Sequence, residues 1–229
     1  MAFAVPPPPT VTLPIEGDGD LLFPVRRIWC VGRNYAAHAR EMGHDPDREE
    51  PFYFQKPADA IVPSGGIMAY PPMSKDLHHE IEMVVAIGKS GRDIPVEKAN
   101  EHIFGYGVGL DMTARDLQAV AKKLGRPWVM GKSFDQSAPC SALRPAARIG
   151  HPTSARIWLD VNGKTRQDSN ITHLIWNVPE TIANLSKYVE LVAGDLIFTG
   201  TPEGVAAVQK GDRLEGHVEG VGDIMVMIG

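Results

Sequence analysis

Apolar residues in this chain come mostly in short blocks that end at glycine or proline, and only in a few places do helices fit the pattern better. The blocks predict strands over residues 25–32, 52–57, 77–88, 103–110, 128–134 and 157–161. The strand at 157–161 turns at Asn162-Gly163, a strong hairpin signal. Further short strands are expected in the last forty residues, punctuated by Gly194-Asp195, Gly211-Asp212 and Gly222-Asp223. Helices are expected over 36–42, with Asn34 or Tyr35 near the cap and Gly43 as the stop, and within 171–188, where Pro179-Glu180 suits a helix start. Another is expected over 113–124, where Thr113 and Asp116 imitate a capping box and Leu117, Val120, Ala121 and Leu124 make an apolar stripe. The sum is a mostly β (α+β) chain, built as a sandwich or roll with a few short helices.

Composition narrows the picture. At 229 residues with 43% hydrophobic content the chain can bury a substantial core. Residues 1–24 are a proline-rich arm with a strand expected at 11–13, either loose or packed on a partner subunit; residues 25–229 form the main domain. A formal charge of −5 argues against nucleic acid as a partner. No apolar run approaches the ~20 residues of a membrane span, and Pro6 to Pro9 break any leader-like helix. Cys30 and Cys140 lack motif spacing and read as reduced thiols, so a cytoplasmic setting is expected. Residues 44–51 have the charged, turn-prone composition of a mobile loop.

The candidate chemistry begins at Glu80 and Glu82, which share one face of an apolar strand, roughly 7 Å apart at the backbone. Two readings are open: the solvated face of an edge strand, or two ligands of a divalent cation with hard oxygen donors. Asp111, after the strand at 103–110, is either a helix cap or a third ligand. His38 and Glu41 share a helix face, as a surface ion pair or as a base and the group that orients it. Lys132, in a strand that is otherwise apolar, either reaches solvent or faces a site. The loop 198–204 offers amides and hydroxyls that can hold a carboxylate, or is a plain turn. No dinucleotide fingerprint, nucleophile elbow, Walker loop or zincin motif is present.

Six stretches occur in one order: Gly32-Arg33-Asn34-Tyr35 with His38 and Glu41; Lys56-Pro57; His79-Glu80-Ile81-Glu82; Leu110-Asp111-Met112-Thr113-Ala114-Arg115-Asp116; Lys132-Ser133-Phe134; and Thr199-Gly200-Thr201-Pro202-Glu203-Gly204. Together they resemble the fumarylacetoacetate hydrolase family over residues 25–228. The single-domain acylpyruvate hydrolases are the most similar branch, and the arm with residues 37–49 looks closest to the bacterial fumarylpyruvate hydrolases of gentisate breakdown. The resemblance implies a mixed, mostly β roll, a homodimer, and one Mg²⁺ or Mn²⁺ per subunit on Glu80, Glu82 and Asp111. It carries catalytic roles onto His38, Glu41 and Lys132, and substrate contacts onto Arg33, Tyr35, Lys56, Arg115, Gln118 and Thr201. It also makes the helix of His38 part of a lid. The expected reaction is cleavage of a carbon–carbon bond in a 2,4-dioxo acid. Rival readings are an oxaloacetate decarboxylase, an isomerase that moves only the enol proton, and a non-catalytic carboxylate- or metal-binding module. For a distal substrate carboxylate, Arg40 and Arg48 are the cations to consider.

Overall fold

The protein is described by a computed structural model covering residues 3–41 and 49–229. Residues 42–48, and with them Arg48 and most of the expected lid loop, lie outside the described residues. Strands dominate. The largest sheet has eight strands, seven of them in the order Phe52–Lys56, Arg27–Gly32, Asp195–Phe198, Ile81–Ile87, Ile103–Leu110, Ala138–Cys140 and Ile61–Pro63, with Arg144–Pro145 pairing on Ile103–Leu110. It is mixed: Asp195–Phe198 runs parallel to Arg27–Gly32, while Ile81–Ile87 and Ile103–Leu110 are antiparallel. A five-stranded sheet runs Lys164–Asn170, Arg156–Val161, Arg213–Val218, Gly222–Ile228 and Ile67–Met68. The Asn162-Gly163 hairpin forms as expected, both residues taking positive φ.

The strand Ile81–Ile87 is buried along its whole length. Side chains on a strand alternate faces. Ile81, Met83, Val85 and Ile87 therefore enter the main core with Ile157, Leu159 and Leu214 of the five-stranded sheet. Val84 and Ala86 enter a second core with Ile28, Cys30 and Phe198. That second face is also the face of Glu82, so an edge strand with a solvated side is excluded.

Four expectations change in three dimensions. Residues 128–134 contain a short helix, Val129–Lys132, instead of a strand. Val129 and Met130 are exposed, the amides of Lys132 and Ser133 bond back to Trp128 and Val129, and Gly131 packs on the backbone of Gln118, where a Cβ would lie 2.8 Å from the Gln118 amide. The helix Arg115–Lys123 forms, but without a capping box: Asp116 accepts instead from Ser74, Lys75 and Leu117. Its expected apolar stripe is exposed at Val120 and Leu124, and its buried residue is Gln118. Finally, the arm's strand is Thr12–Pro14, paired with Leu22–Pro24, and Leu13 and Phe23 sit in the second core. Residues 12–24 thus pack on the chain's own body, tied by Glu16 to Arg144 and Asp18 to Arg148. No helix among the described residues is long and apolar enough to cross a membrane.

Candidate active site

The sheet register assembles the acidic residues. Ile81 pairs with Leu110 and Glu82 with Gly109, and just beyond the ladder the Asp111 amide donates to the Glu80 carbonyl. Glu80 and Asp111 are thus cross-strand neighbours at the end of two antiparallel strands, with Glu82 two residues along on the Glu80 side. One ligand oxygen from each of the three lies within 4.8 Å of the others. All three are buried, at 4%, 2% and 1% exposure, and they open onto a pocket with about 460 Å³ of empty space.

Cations compensate this charge unevenly. Lys132 Nζ donates to Glu80 Oε2 at 2.7 Å and to Asp111 Oδ2 at 2.6 Å. Arg115 Nη2 donates to Glu80 Oε1 at 2.5 Å, and Lys56 Nζ lies 2.8 Å from Asp111 Oδ1. Among the described residues Glu82 is paired with no cation, and its Oε2 accepts from the Gly200 amide at 2.7 Å. Burial, followed by the neighbouring Asp111 and Glu80 charges, therefore pushes the Glu82 carboxyl well above the ordinary range. Burial acts in the same direction on Glu80, but Lys132 and Arg115 outweigh it and hold that carboxyl low. Burial disfavours the Lys132 ammonium, yet Asp111 and Glu80 raise its pKa overall. A set of three hard oxygen donors, one of them a carboxylate that the cations leave aside, at the base of an open pocket fits one divalent cation of the Mg²⁺ or Mn²⁺ kind.

The base candidate faces the same pocket. On the helix Ala36–Glu41, His38 is 7% exposed and its Nδ1 lies 3.3 Å from Glu41 Oε2. The Gly204 amide donates to both Glu41 oxygens, at 3.2 and 3.3 Å. The amides of the loop after Phe198 thus hold two of the protein's own carboxylates, Glu82 and Glu41.

Arg33, Arg115, Gln118, Lys132 and Thr201 line the pocket with His38 and the three acids. Tyr35 and Lys56 do not. Tyr35 is a buried ring whose hydroxyl finds no partner among the described residues, in a bridge with Leu174. Lys56 stands behind Asp111 and also donates to the carbonyls of Met112 and Lys132. Arg40 is exposed. Two organising residues were not legible beforehand. Asn34, expected near a helix cap, instead joins Trp176 to Thr199, and Gln167 links the strand of Glu82 to Thr201. Asn34 belongs to the Gly32-Arg33-Asn34-Tyr35 stretch; nothing in the sequence marks Gln167.

Fold and site define a mostly β enzyme with a three-carboxylate centre suited to one divalent cation. The chain belongs to the fumarylacetoacetate hydrolase family: the model of the fumarylacetoacetate (FAA) hydrolase C-terminal domain matches residues 27–228. It is 48% identical over 190 residues to the fumarylpyruvate hydrolase of Ralstonia sp, covering 82% of this chain and 98% of that protein. It is also 42% identical over 205 residues to the mitochondrial oxaloacetate tautomerase of Rattus norvegicus, covering 86% and 92%. Among solved structures, fumarylpyruvate hydrolase from Pseudomonas aeruginosa in complex with Mn²⁺ and pyruvate superposes with a TM-score of 0.97 at 55% identity, over 99% of both chains.

Proposed function

We propose that this enzyme hydrolyses a 2,4-dioxo acid, fumarylpyruvate or a close acylpyruvate, to pyruvate and a carboxylic acid. The observation that carries the reading is the meeting of the buried Glu80–Glu82–Asp111 set with the His38–Glu41 couple in one pocket. The likeness to a fumarylpyruvate hydrolase holding Mn²⁺ and pyruvate supports it.

Glu80, Glu82 and Asp111 would hold the cation, which would supply positive charge at the 2-oxo acid end of the substrate. Glu41, fixed by the Gly204 amide, orients His38 through Nδ1 and leaves Nε2 to take a proton from water. The water oxygen attacks the 4-carbonyl, and the Lys132 ammonium stabilises the oxyanion. Cleavage of the C3–C4 bond releases the acid and a pyruvate enolate, which a proton converts to pyruvate. Arg115, Gln118 and Thr201 orient the carboxylate end.

Charge supports a doubly anionic substrate. Lys56, Lys132 and Arg115 formally balance the three carboxylates, so a bound divalent cation leaves the site with two positive charges in excess. Arg33 adds another. It lines the pocket and a neighbouring cavity, stacks 5.3 Å from the Phe52 ring, and has no carboxylate partner among the described residues. It also holds a left-handed φ of 55°, an uncommon backbone conformation for a residue with a side chain. Arg33 is therefore the reader of a distal carboxylate in this proposal, in place of Arg40.

The proposal includes a homodimeric, cytoplasmic enzyme of gentisate breakdown, with residues 25–229 as its catalytic domain and 1–24 as its arm; the family resemblance supports this. The test is pyruvate release from fumarylpyruvate and acetylpyruvate by Mg²⁺- or Mn²⁺-loaded enzyme, with keto–enol exchange of oxaloacetate followed in parallel. The identity to oxaloacetate tautomerases favours a second reading, in which only the enol proton moves. Fast exchange without pyruvate release would decide for it.

A further inference from the structure

Gln167 is the one residue of the strand Lys164–Asn170 that is fully buried, at 1% exposure. Its amide makes four hydrogen bonds, which is its full capacity. Oε1 accepts from the Ile81 amide at 3.1 Å and pairs with His79 Nδ1 at 2.9 Å. Nε2 donates to Thr201 Oγ1 at 2.8 Å and to the Pro202 carbonyl at 2.9 Å. Two of these partners are backbone groups of fixed polarity: the Ile81 N–H can only donate and the Pro202 carbonyl can only accept. They force the orientation of the amide, which is otherwise ambiguous in a glutamine.

Two consequences follow. His79 must carry its proton on Nδ1. Thr201 Oγ1 must accept from Gln167, so its own proton points elsewhere. Among the described residues no protein acceptor takes that proton, and Thr201 lines the pocket. The loop cannot readily turn away, because it packs closely on the same strand: a Cβ on Gly204 would lie 2.1 Å from the Arg166 carbonyl oxygen.

We infer that Gln167 is a positioning residue that sets the polarity of Thr201, presenting its hydroxyl as a hydrogen-bond donor to a carboxylate oxygen of the bound oxo acid. The nature of that ligand rests on the function proposed above. The polarity matters because an anionic oxygen accepts and never donates. A hydroxyl already donating to the protein would meet it with a lone pair.

Gln167→Glu tests this with almost no change of shape. The new side chain has at most one proton, which the Pro202 carbonyl takes, so the oxygen facing Thr201 accepts and the threonine proton is drawn back toward residue 167. Pyruvate affinity of the Mn²⁺-loaded protein, and kcat and KM for acylpyruvate, are measured for Gln167→Glu, Thr201→Val, the double variant and Thr201→Ser. Expected is a loss of pyruvate affinity and a rise in KM of about 10- to 100-fold in Gln167→Glu and in Thr201→Val, the effect of one hydrogen bond to a charged group. The double variant should be no worse than Thr201→Val, and Thr201→Ser should stay within a few-fold of wild type. Independent, multiplying losses would make Gln167 a structural prop and overturn the inference, as would a serine as poor as valine. Should melting curves show Gln167→Glu unfolded, the Thr201 pair decides: unchanged pyruvate affinity in Thr201→Val overturns it. A wild type that binds pyruvate yet cleaves no acylpyruvate overturns the hydrolase reading instead and leaves the affinity cycle intact.

Discussion

Lys56 and Asp111 form a buried ion pair, Nζ to Oδ1 at 2.8 Å, with side-chain exposures of 0% and 1%. Behind the acidic set there is thus a cation that cannot reach water. The three carboxylates, chemically alike, therefore carry unlike structural debts.

In the proposed site all three hold the cation, so Ala at Glu80, Glu82 or Asp111 should abolish turnover, and chelation should do the same reversibly. Stability should separate them. Asp111→Ala leaves Lys56 buried without its carboxylate and should cost ~3–5 kcal/mol. Glu82→Gln removes a carboxylate with no cation partner among the described residues and should stabilise the metal-free protein. Urea denaturation without metal checks this; equal effects of the two variants would contradict it.

Lys132→Met should lower kcat by ~10²–10³, the cost of one oxyanion donor. Because Lys132 also bridges Glu80 and Asp111, metal affinity is to be measured on the same variant. A rise in KM alone would make the lysine a ground-state binder.

His38→Ala should cut acylpyruvate hydrolysis by ~10²–10⁴, while any decarboxylation of oxaloacetate, which needs no attacking water, should stay within about tenfold of wild type. Glu41→Gln should act in the same direction more mildly, since Gly204 still has an amide oxygen to meet. Equal losses in both reactions would show that His38 positions substrate without activating water.

Arg33→Met should penalise fumarylpyruvate far more than acetylpyruvate, read as the ratio of their kcat/KM values. A uniform loss would remove Arg33 as the reader of the distal carboxylate.

His79 is fully buried, and desolvation lowers its pKa to about 4, against the opposing pull of its Gln167 hydrogen bond. The unfolded chain binds this proton near the ordinary histidine value of about 6.5. Its share of stability is therefore complete above that pH and is lost as pH falls toward 4. Denaturation midpoints between pH 7 and 4.5 should fall for wild type and fall less for His79→Leu. Parallel curves would assign the acid sensitivity to another group.

The sequence by itself determined five of the six strands expected from its apolar blocks, the hairpin at Asn162-Gly163 and the placing of Glu80 and Glu82 on one face, because alternation and turn chemistry act over a few neighbouring residues. It also determined the His38–Glu41 couple, which is one helical turn. The helical geometry of Lys132 was not legible, since four residues of apolar character with a glycine suit a strand as well as a turn until Gly131 meets Gln118. Nor was the exposure of Val120 and Leu124, because an amphipathic pattern does not say which face the body of the protein covers. Only the tertiary structure decided that Lys56 stands behind Asp111 and that Gln167 governs Thr201. Those partners lie 55 and 34 positions apart in the chain. They meet because the order of strands in two packed sheets brings them together, and a burial requirement that local spacing cannot express then forces each polar group to find its partner.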